Sequence, residues 1–151
     1  MVDTARSPAS LDRGDFPTVL AGVVGVNVVG AVPALLAGPD STWFRSLVKP
    51  DIYPPPWAFG VVWTALFTLL GVAVALVWLA GPQRRSVRGA LGIFVAQMAL
   101  NVAWTPAFFA FEDLALGLAV ILALWPLVAA TLWAFARVDR RAAALVVPYF
   151  L

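Results

Sequence analysis

The chain has 151 residues, of which 62% are hydrophobic and only 12% charged, with a formal charge of +2. Soluble domains carry about 25% charged residues, so this composition excludes an ordinary water-soluble globule and indicates an integral membrane protein. Cysteine and histidine are both absent, which excludes disulfides, thiolate chemistry, a histidine proton shuttle and the usual haem axial ligands, and no metal site is expected. The basic residues are scattered through short loops and read as membrane-topology signals, not as a surface for nucleic acid.

Residues 1–15 are polar and mixed in charge, and read as a short disordered tail. The apolar run after them is too long for a cleavable signal peptide, so it is expected to be a retained helix. Residues 16–37 form the first predicted span, uncharged and glycine-rich, close to the roughly 20 residues that a bilayer core requires. Small residues let helix backbones approach closely in lipid. Pro33 is expected to kink the helix near its end, and Asn27 reads as an interhelical hydrogen-bonding group in preference to a ligand contact.

Residues 38–56 form the first loop. The stretch 43–63 holds four of the twelve prolines and three of the seven tryptophans, so a rigid aromatic loop feeds directly into the next helix. It is predicted to be the lid and rim of a ligand pocket. The further spans are predicted at 57–80, 88–111 and 114–136, separated by a turn with Arg84 and Arg85 and by a tight acidic turn at Glu112 and Asp113. A basic turn at 137–141 leads into a partial fifth segment, 142–151. Residues 16–151 are read as one transmembrane bundle domain. There is no internal repeat, which argues against inverted-repeat transporter architectures.

Eight basic residues (Arg6, Arg13, Arg84, Arg85, Arg88, Arg137, Arg140, Arg141) fall on one side of this topology, and only Arg45 and Lys49 on the other. The positive-inside rule then makes the N-terminus cytoplasmic and turns the proline-rich loop outward. Arg88 and Arg137, at helix ends, are expected to snorkel.

At about 100° per residue, Gly92, Ala96, Ala99, Ala103 and Ala107 share one narrow stripe of the third helix, and Gln97, Asn101, Trp104 and Phe108 share another, roughly opposite. The small stripe is a packing surface, for another helix or for a second copy of the chain. An amide in hydrocarbon must find a partner. Two readings stay open on spacing alone: Gln97 and Asn101 line a cavity with the aromatics, or they staple neighbouring helices. The second helix carries an aromatic row, Phe59, Trp63 and Phe67, which on its own reads as packing or lipid contact. Trp57 and Trp133 fit interfacial belts, and Pro126 is a second expected kink beside Trp125.

The loop pattern Trp43, Phe44, Leu47, Lys49, Pro50, Pro54, Pro55, Trp57, Phe59, Trp63 resembles a signature of the TspO family of tryptophan-rich sensory proteins and translocator proteins (peripheral-type benzodiazepine receptors). The third helix, with Gln97, Met98, Asn101, Trp104, Thr105, Phe108 and Phe109, resembles a second signature, and the ending from Pro148 to Leu151 resembles the opening of the family's fifth helix. The resemblance covers about residues 17–151. It implies a five-helix transmembrane bundle, commonly a homodimer, with a pocket under the first loop. It implies porphyrin or haem as ligand with no obligatory cofactor, synthetic isoquinoline or benzodiazepine ligands, and sterol-like lipids for some members. By motif position the pocket residues are Trp43, Phe44, Pro54, Pro55, Trp63, Phe67, Gln97, Asn101, Trp104 and Phe108, which moves the two amides towards the cavity reading.

Some positions depart from the family pattern. Phe44 stands where many relatives have tyrosine, and Asp51 and Ile52 where they often have an aromatic. The segment 142–151 makes about 15 Å of helix, too short for about 30 Å of hydrocarbon, so the sequence is expected to be a fragment whose fifth helix is truncated. Three functional readings follow. The first is a tetrapyrrole-binding protein that regulates or translocates porphyrins, with Lys49 or Arg45 either pairing with the propionates or serving as interfacial charges. The second is light-dependent porphyrin degradation, with Trp63 as the candidate indole and no acid–base catalytic pair. The third is a passive transporter or scaffold.

Overall fold

The computed structural model describes residues 11–36, 38 and 40–151. Residues 1–10, which make up most of the expected polar tail and include Arg6, lie outside the described residues, as do Ala37 and Pro39. The described residues are helical and contain no strand. A 3-10 turn at Arg13–Asp15 leads into α1 (Phe16–Leu36), followed by α2 (Thr42–Ser46), α3 (Pro56–Leu79), α4 (Arg85–Thr105), α5 (Leu114–Ala136) and α6 (Arg140–Phe150). Four helical stretches, Arg13–Leu35, Pro56–Leu79, Arg85–Ala110 and Leu114–Ala136, are long and apolar enough to cross a membrane. The predicted spans thus fall within a few residues of the observed helices. The count differs, with six α-helices among the described residues, because the first loop contains the short α2, capped by the Ser41 hydroxyl accepting from the Phe44 N–H at 3.1 Å.

Local chemistry sets the helix boundaries. Pro56 opens α3 at a position where a missing N–H costs nothing. Asp113 caps α5 by accepting from the Leu116 N–H at 3.0 Å, and the preceding Glu112 takes a positive φ of 52° to make the turn. Asp139 caps α6 and pairs with Arg141 at 2.9 Å. Partial burial pushes the Asp139 carboxyl up, but hydrogen bonds and charge from Arg141, with the Ala142 N–H, outweigh it and hold the group below its ordinary value. Pro33 and Pro126 sit inside continuous helices. The third span does not continue as a plain α-helix to residue 111. After Thr105 the chain widens into a π-turn, Pro106–Ala110, closed by the Phe111 N–H on the Pro106 carbonyl at 3.0 Å. Pro106 has no N–H to donate to the preceding turn, which favours this local change of pitch.

The helices form a ring in the order α1, α3, α6, α5, α4, with the α1–α3 contact the most extensive. That contact depends on two glycines. A Cβ on Gly22 would collide with the Gly71 carbonyl, and one on Gly71 would lie 2.5 Å from Val23 Cα. About two turns further along α1, the Phe67 ring lies against Gly30. Asn27 Nδ2 donates to Thr68 Oγ1 at 3.2 Å across the same seam, so the expected interhelical role of Asn27 is observed. Outward-facing α1 residues such as Leu20, Val24 and Val28 are about half exposed, as a lipid-facing helix requires.

The core lies at the end that carries the α3–α4 and α5–α6 turns, around Leu70, Val77, Val87, Phe135, Ala142 and Val146. At the opposite end, residues 61–65 of α3 are all exposed. The eleven residues of α6 rise about 16 Å, and its Phe150 stacks on Trp125 midway along α5, with centroids 5.3 Å apart.

Replacing Gly71 with valine is expected to force α1 off α3 and cost about 1–3 kcal/mol or more. Gly25→Val, on a glycine with nothing within 4 Å of its Cβ position, should be close to neutral. Thermal unfolding in detergent checks both, and equal shifts for the two variants would rule out the glycine contact as the support.

Candidate functional site

The inward face of α4 carries Gln97, Asn101, Trp104 and Phe108. Gln97 is completely buried and Asn101 is 9% exposed. Four residues of the opposite stripe, Gly92, Ala96, Ala99 and Ala103, are exposed, so within this chain they do not form the helix-packing surface that their spacing predicts. Ala107 departs and is buried, because the π-turn shifts the helical phase at Pro106.

The two amides are tied to α5 and α6. Asn101 Nδ2 donates to the Tyr149 hydroxyl, and Thr131 Oγ1 lies 3.5 Å from Gln97 Oε1 while also donating to the Leu127 carbonyl at 2.8 Å. These contacts match the stapling reading of the amides, since each meets a neighbouring helix. Yet Gln97 Nε2, although close enough to the Tyr149 hydroxyl to interact with it electrostatically, makes no hydrogen bond of acceptable geometry, and neither does the buried Trp104 Nε1. An unsatisfied buried donor costs about 1–3 kcal/mol, so each of these groups calls for an acceptor.

Above the amides stands an aromatic cluster with Phe108 at its centre. Phe108 stacks on Trp104 at 5.0 Å and meets Trp43 edge-on at 5.4 Å, Phe44 at 6.1 Å and Phe109 at 4.8 Å. The first loop thus lies down on α4, as a lid would, and its rings fill the space beneath it. Gly117 of α5 makes room for this arrangement, since a Cβ there would stand 2.7 Å from the Phe108 ring. Lys49 Nζ donates to the Phe44 carbonyl at 2.9 Å and lies 4.5 Å from the Phe44 ring centre, so the lysine clamps the loop. Arg45 makes an exposed pair with Asp40 at 3.7 Å.

The remaining predicted residues divide. Trp63 faces Tyr149 edge-on at 6.3 Å and Phe67 at 5.4 Å, which brings α3 to the amide cluster. Phe67 is buried against α1 and acts chiefly as the brace behind Trp63. Pro54 and Pro55 are exposed at the start of α3 and lie outside the ring cluster. Tyr149, Thr131, Gly117, Phe109 and Tyr53 were not among the predicted site residues. Tyr149 and Phe109 lay within the quoted motifs, but nothing in the pattern of α5 singles out Thr131 or Gly117.

The sequence model of the TspO/MBR family matches residues 19–151. The chain is 38% identical to the tryptophan-rich sensory protein of Cereibacter sphaeroides over 142 residues, which cover 94% of this chain and 84% of that protein. It is 40% identical to the tryptophan-rich protein TspO of Chlorobaculum tepidum over 111 residues, 74% of this chain and 70% of the relative. It is 37% identical to the human translocator protein over 114 residues, 74% of this chain and 67% of the relative.

The Asn101–Tyr149 bond is the tie between α4 and α6 that a double-mutant cycle can isolate. Asn101→Leu and Tyr149→Phe each leave one partner unsatisfied, so the double variant should be less destabilised than the sum of the singles, with a coupling of about 1 kcal/mol in detergent unfolding. Additive losses would show that the two groups do not act together.

Proposed function

We propose that this chain, which belongs to the TspO/MBR family and is an integral membrane protein, binds tetrapyrroles such as protoporphyrin and haem beneath its first loop, and regulates or translocates them. The observation that supports the reading is the buried Trp104 Nε1, which has no hydrogen-bond partner, on the same helix face as the buried Gln97 amide and stacked on the aromatic cluster. A porphyrin is a flat apolar ring whose carboxylate arms are its outward-facing hydrogen-bond acceptors. Aromatic walls offer it stacking and area, and the two donors offer it hydrogen bonds in a dry environment. Its entry requires the rings of Trp43 and Phe44 to lift from Phe108. Lys49 retains donors beyond the one spent on Phe44, and with Arg45 it is the basic group near the lid for propionates.

In this reading α6 takes the place of the fifth helix of a TspO-type bundle, the loop faces outward and the N-terminus is cytoplasmic, as the distribution of eight basic residues against two supports. The exposed small stripe of α4 supplies a face for a homodimer.

Titration of protoporphyrin into the detergent-solubilised chain, followed by tryptophan fluorescence, tests the reading. Gln97→Leu should weaken binding about tenfold, the loss of one buried hydrogen bond. Metal-free protoporphyrin and haem should bind with comparable affinity, since the chain has no histidine or cysteine to ligate iron. A strict iron requirement, or unchanged affinity in Gln97→Leu, would overturn it.

A second reading, light-dependent porphyrin breakdown, draws support from Trp63. Its indole is 39% exposed towards the membrane, where oxygen dissolves, and its ring also meets Tyr149 beside the amides. Under illumination in air, porphyrin absorbance should decay more slowly in Trp63→Phe than in the wild type. Identical decay would remove Trp63 from any such role.

A further inference from the structure

An open groove of about 450 Å³ lies at the end of the bundle away from the aromatic cluster, where α1, α3 and α4 meet. Thr18 and Ala21 of α1 line one side, Val74 and Trp78 of α3 the other, and Leu91 of α4 the third. It faces the hydrocarbon, and lipid tails are as apolar as the groove, so apolar fit alone selects no occupant. Charge does select one.

Three arginines, Arg84, Arg85 and Arg88, lie in the α3–α4 turn and the first turn of α4, between Trp78 and Leu91 of the groove lining in sequence. Arg84 folds back over Gly81, its Nη1 donating to the Ala80 carbonyl at 3.4 Å, two residues beyond Trp78. Arg88 is exposed one turn before Leu91 and on the same face of α4, with Arg85 exposed beside it. None of the three forms a salt bridge with a carboxylate among the described residues. No acidic residue occupies the first turn of α1 or of α4. The nearby carboxylates of Asp12 and Asp15 are turned onto their own backbone, at 2.6 Å from the Arg13 N–H and 2.9 Å from the Asp12 N–H. An apolar slot capped by unpaired cations at a membrane interface matches one chemistry, an acyl chain ending in an anionic phosphate.

We propose that this groove is a binding site for an anionic phospholipid, with one acyl chain between α1 and α3 and the headgroup phosphate held by Arg84 and Arg88. It is separate from the tetrapyrrole reading, since it lies at the opposite ends of α3 and α4. An occupant here would bridge the three helices across the glycine seam at Gly22 and so join α1 to α4, which otherwise meet over a small area.

Native mass spectrometry of the whole chain released from detergent, with phosphatidylglycerol and phosphatidylcholine of identical acyl chains, tests this. The wild type should retain phosphatidylglycerol preferentially, and each arginine removed should lower that preference about fivefold. Arg84→Gln with Arg88→Gln should bring the two lipids level, and Ala21→Phe, which fills the groove, should lower retention of both. Arg137→Gln with Arg140→Gln, which removes equal charge from the same end of the bundle, should leave the preference intact. Equal retention of both lipids by the wild type would overturn the proposal. So would an equal loss in the Arg137 and Arg140 pair, the mark of diffuse attraction to a basic rim. A photoactivatable phosphatidylglycerol needs no variant: it should label wild-type segments containing Thr18 or Trp78, and labelling confined elsewhere would also refute the site.

Discussion

The seam between α1 and α3 is the contact that the rest of the bundle is built on. In lipid, helices gain nothing from burying apolar surface against one another, so their association depends on close packing and on hydrogen bonds. Gly22 and Gly71 supply the first by bringing backbone onto backbone, and Asn27 with Thr68 supplies the second. The consequences run along α3 towards the site. With the backbones this close, Phe67 has one place to go, against Gly30. Its ring then supports Trp63 one turn earlier, and Trp63 reaches Tyr149 of α6. The glycine contact thereby supports an indole closer to the loop end of α3.

The polar residues follow the inverse of soluble-protein logic. Gln97, Asn101 and Thr131 are the buried polar side chains, while valines and leucines face outward. The third helix could be read from sequence alone, because 3.6-residue periodicity separates an amide–aromatic stripe from a small-residue stripe and the medium forces amides inward. The partners of those amides could not be read in the same way. Thr131 belongs to α5, whose apolar composition is nearly uniform round the helix, so no face is marked. Tyr149 lies close to the chain's last residue, and its approach to Asn101 depends on how α6 sits between α3 and α5, which is tertiary information. The π-turn was missed for a related reason. Pro106 was visible, but whether a proline kinks a helix or widens it by one residue depends on what packs beside it.

That local widening matters to the aromatic cluster. By shifting the phase after Thr105, it places Phe108 and Phe109 side by side under the loop and buries Ala107. Phe108 then touches the lid from below and Trp104 from above, with Gly117 leaving the space that a larger residue would fill. The sequence identified the rings but not the glycine opposite them, because an isolated glycine in an apolar helix carries no signal of what it faces. Phe44, in a position where tyrosine is common in the resembled pattern, makes only ring and backbone contacts here, with its carbonyl accepting from Lys49. The loop is therefore held by apolar ring edges and one ammonium.

The two ends of the bundle consequently differ in kind. At the end with the basic turns, Leu70, Val77, Val87, Phe135, Ala142 and Val146 are essentially sealed, and the helices hold one another without the loop. At the loop end, α3 is exposed over residues 61–65 and the closure is aromatic. Gln97 and Asn101 are tied to the neighbouring helices through Thr131 and Tyr149, whereas Trp43 and Phe44 meet Phe108 through ring edges.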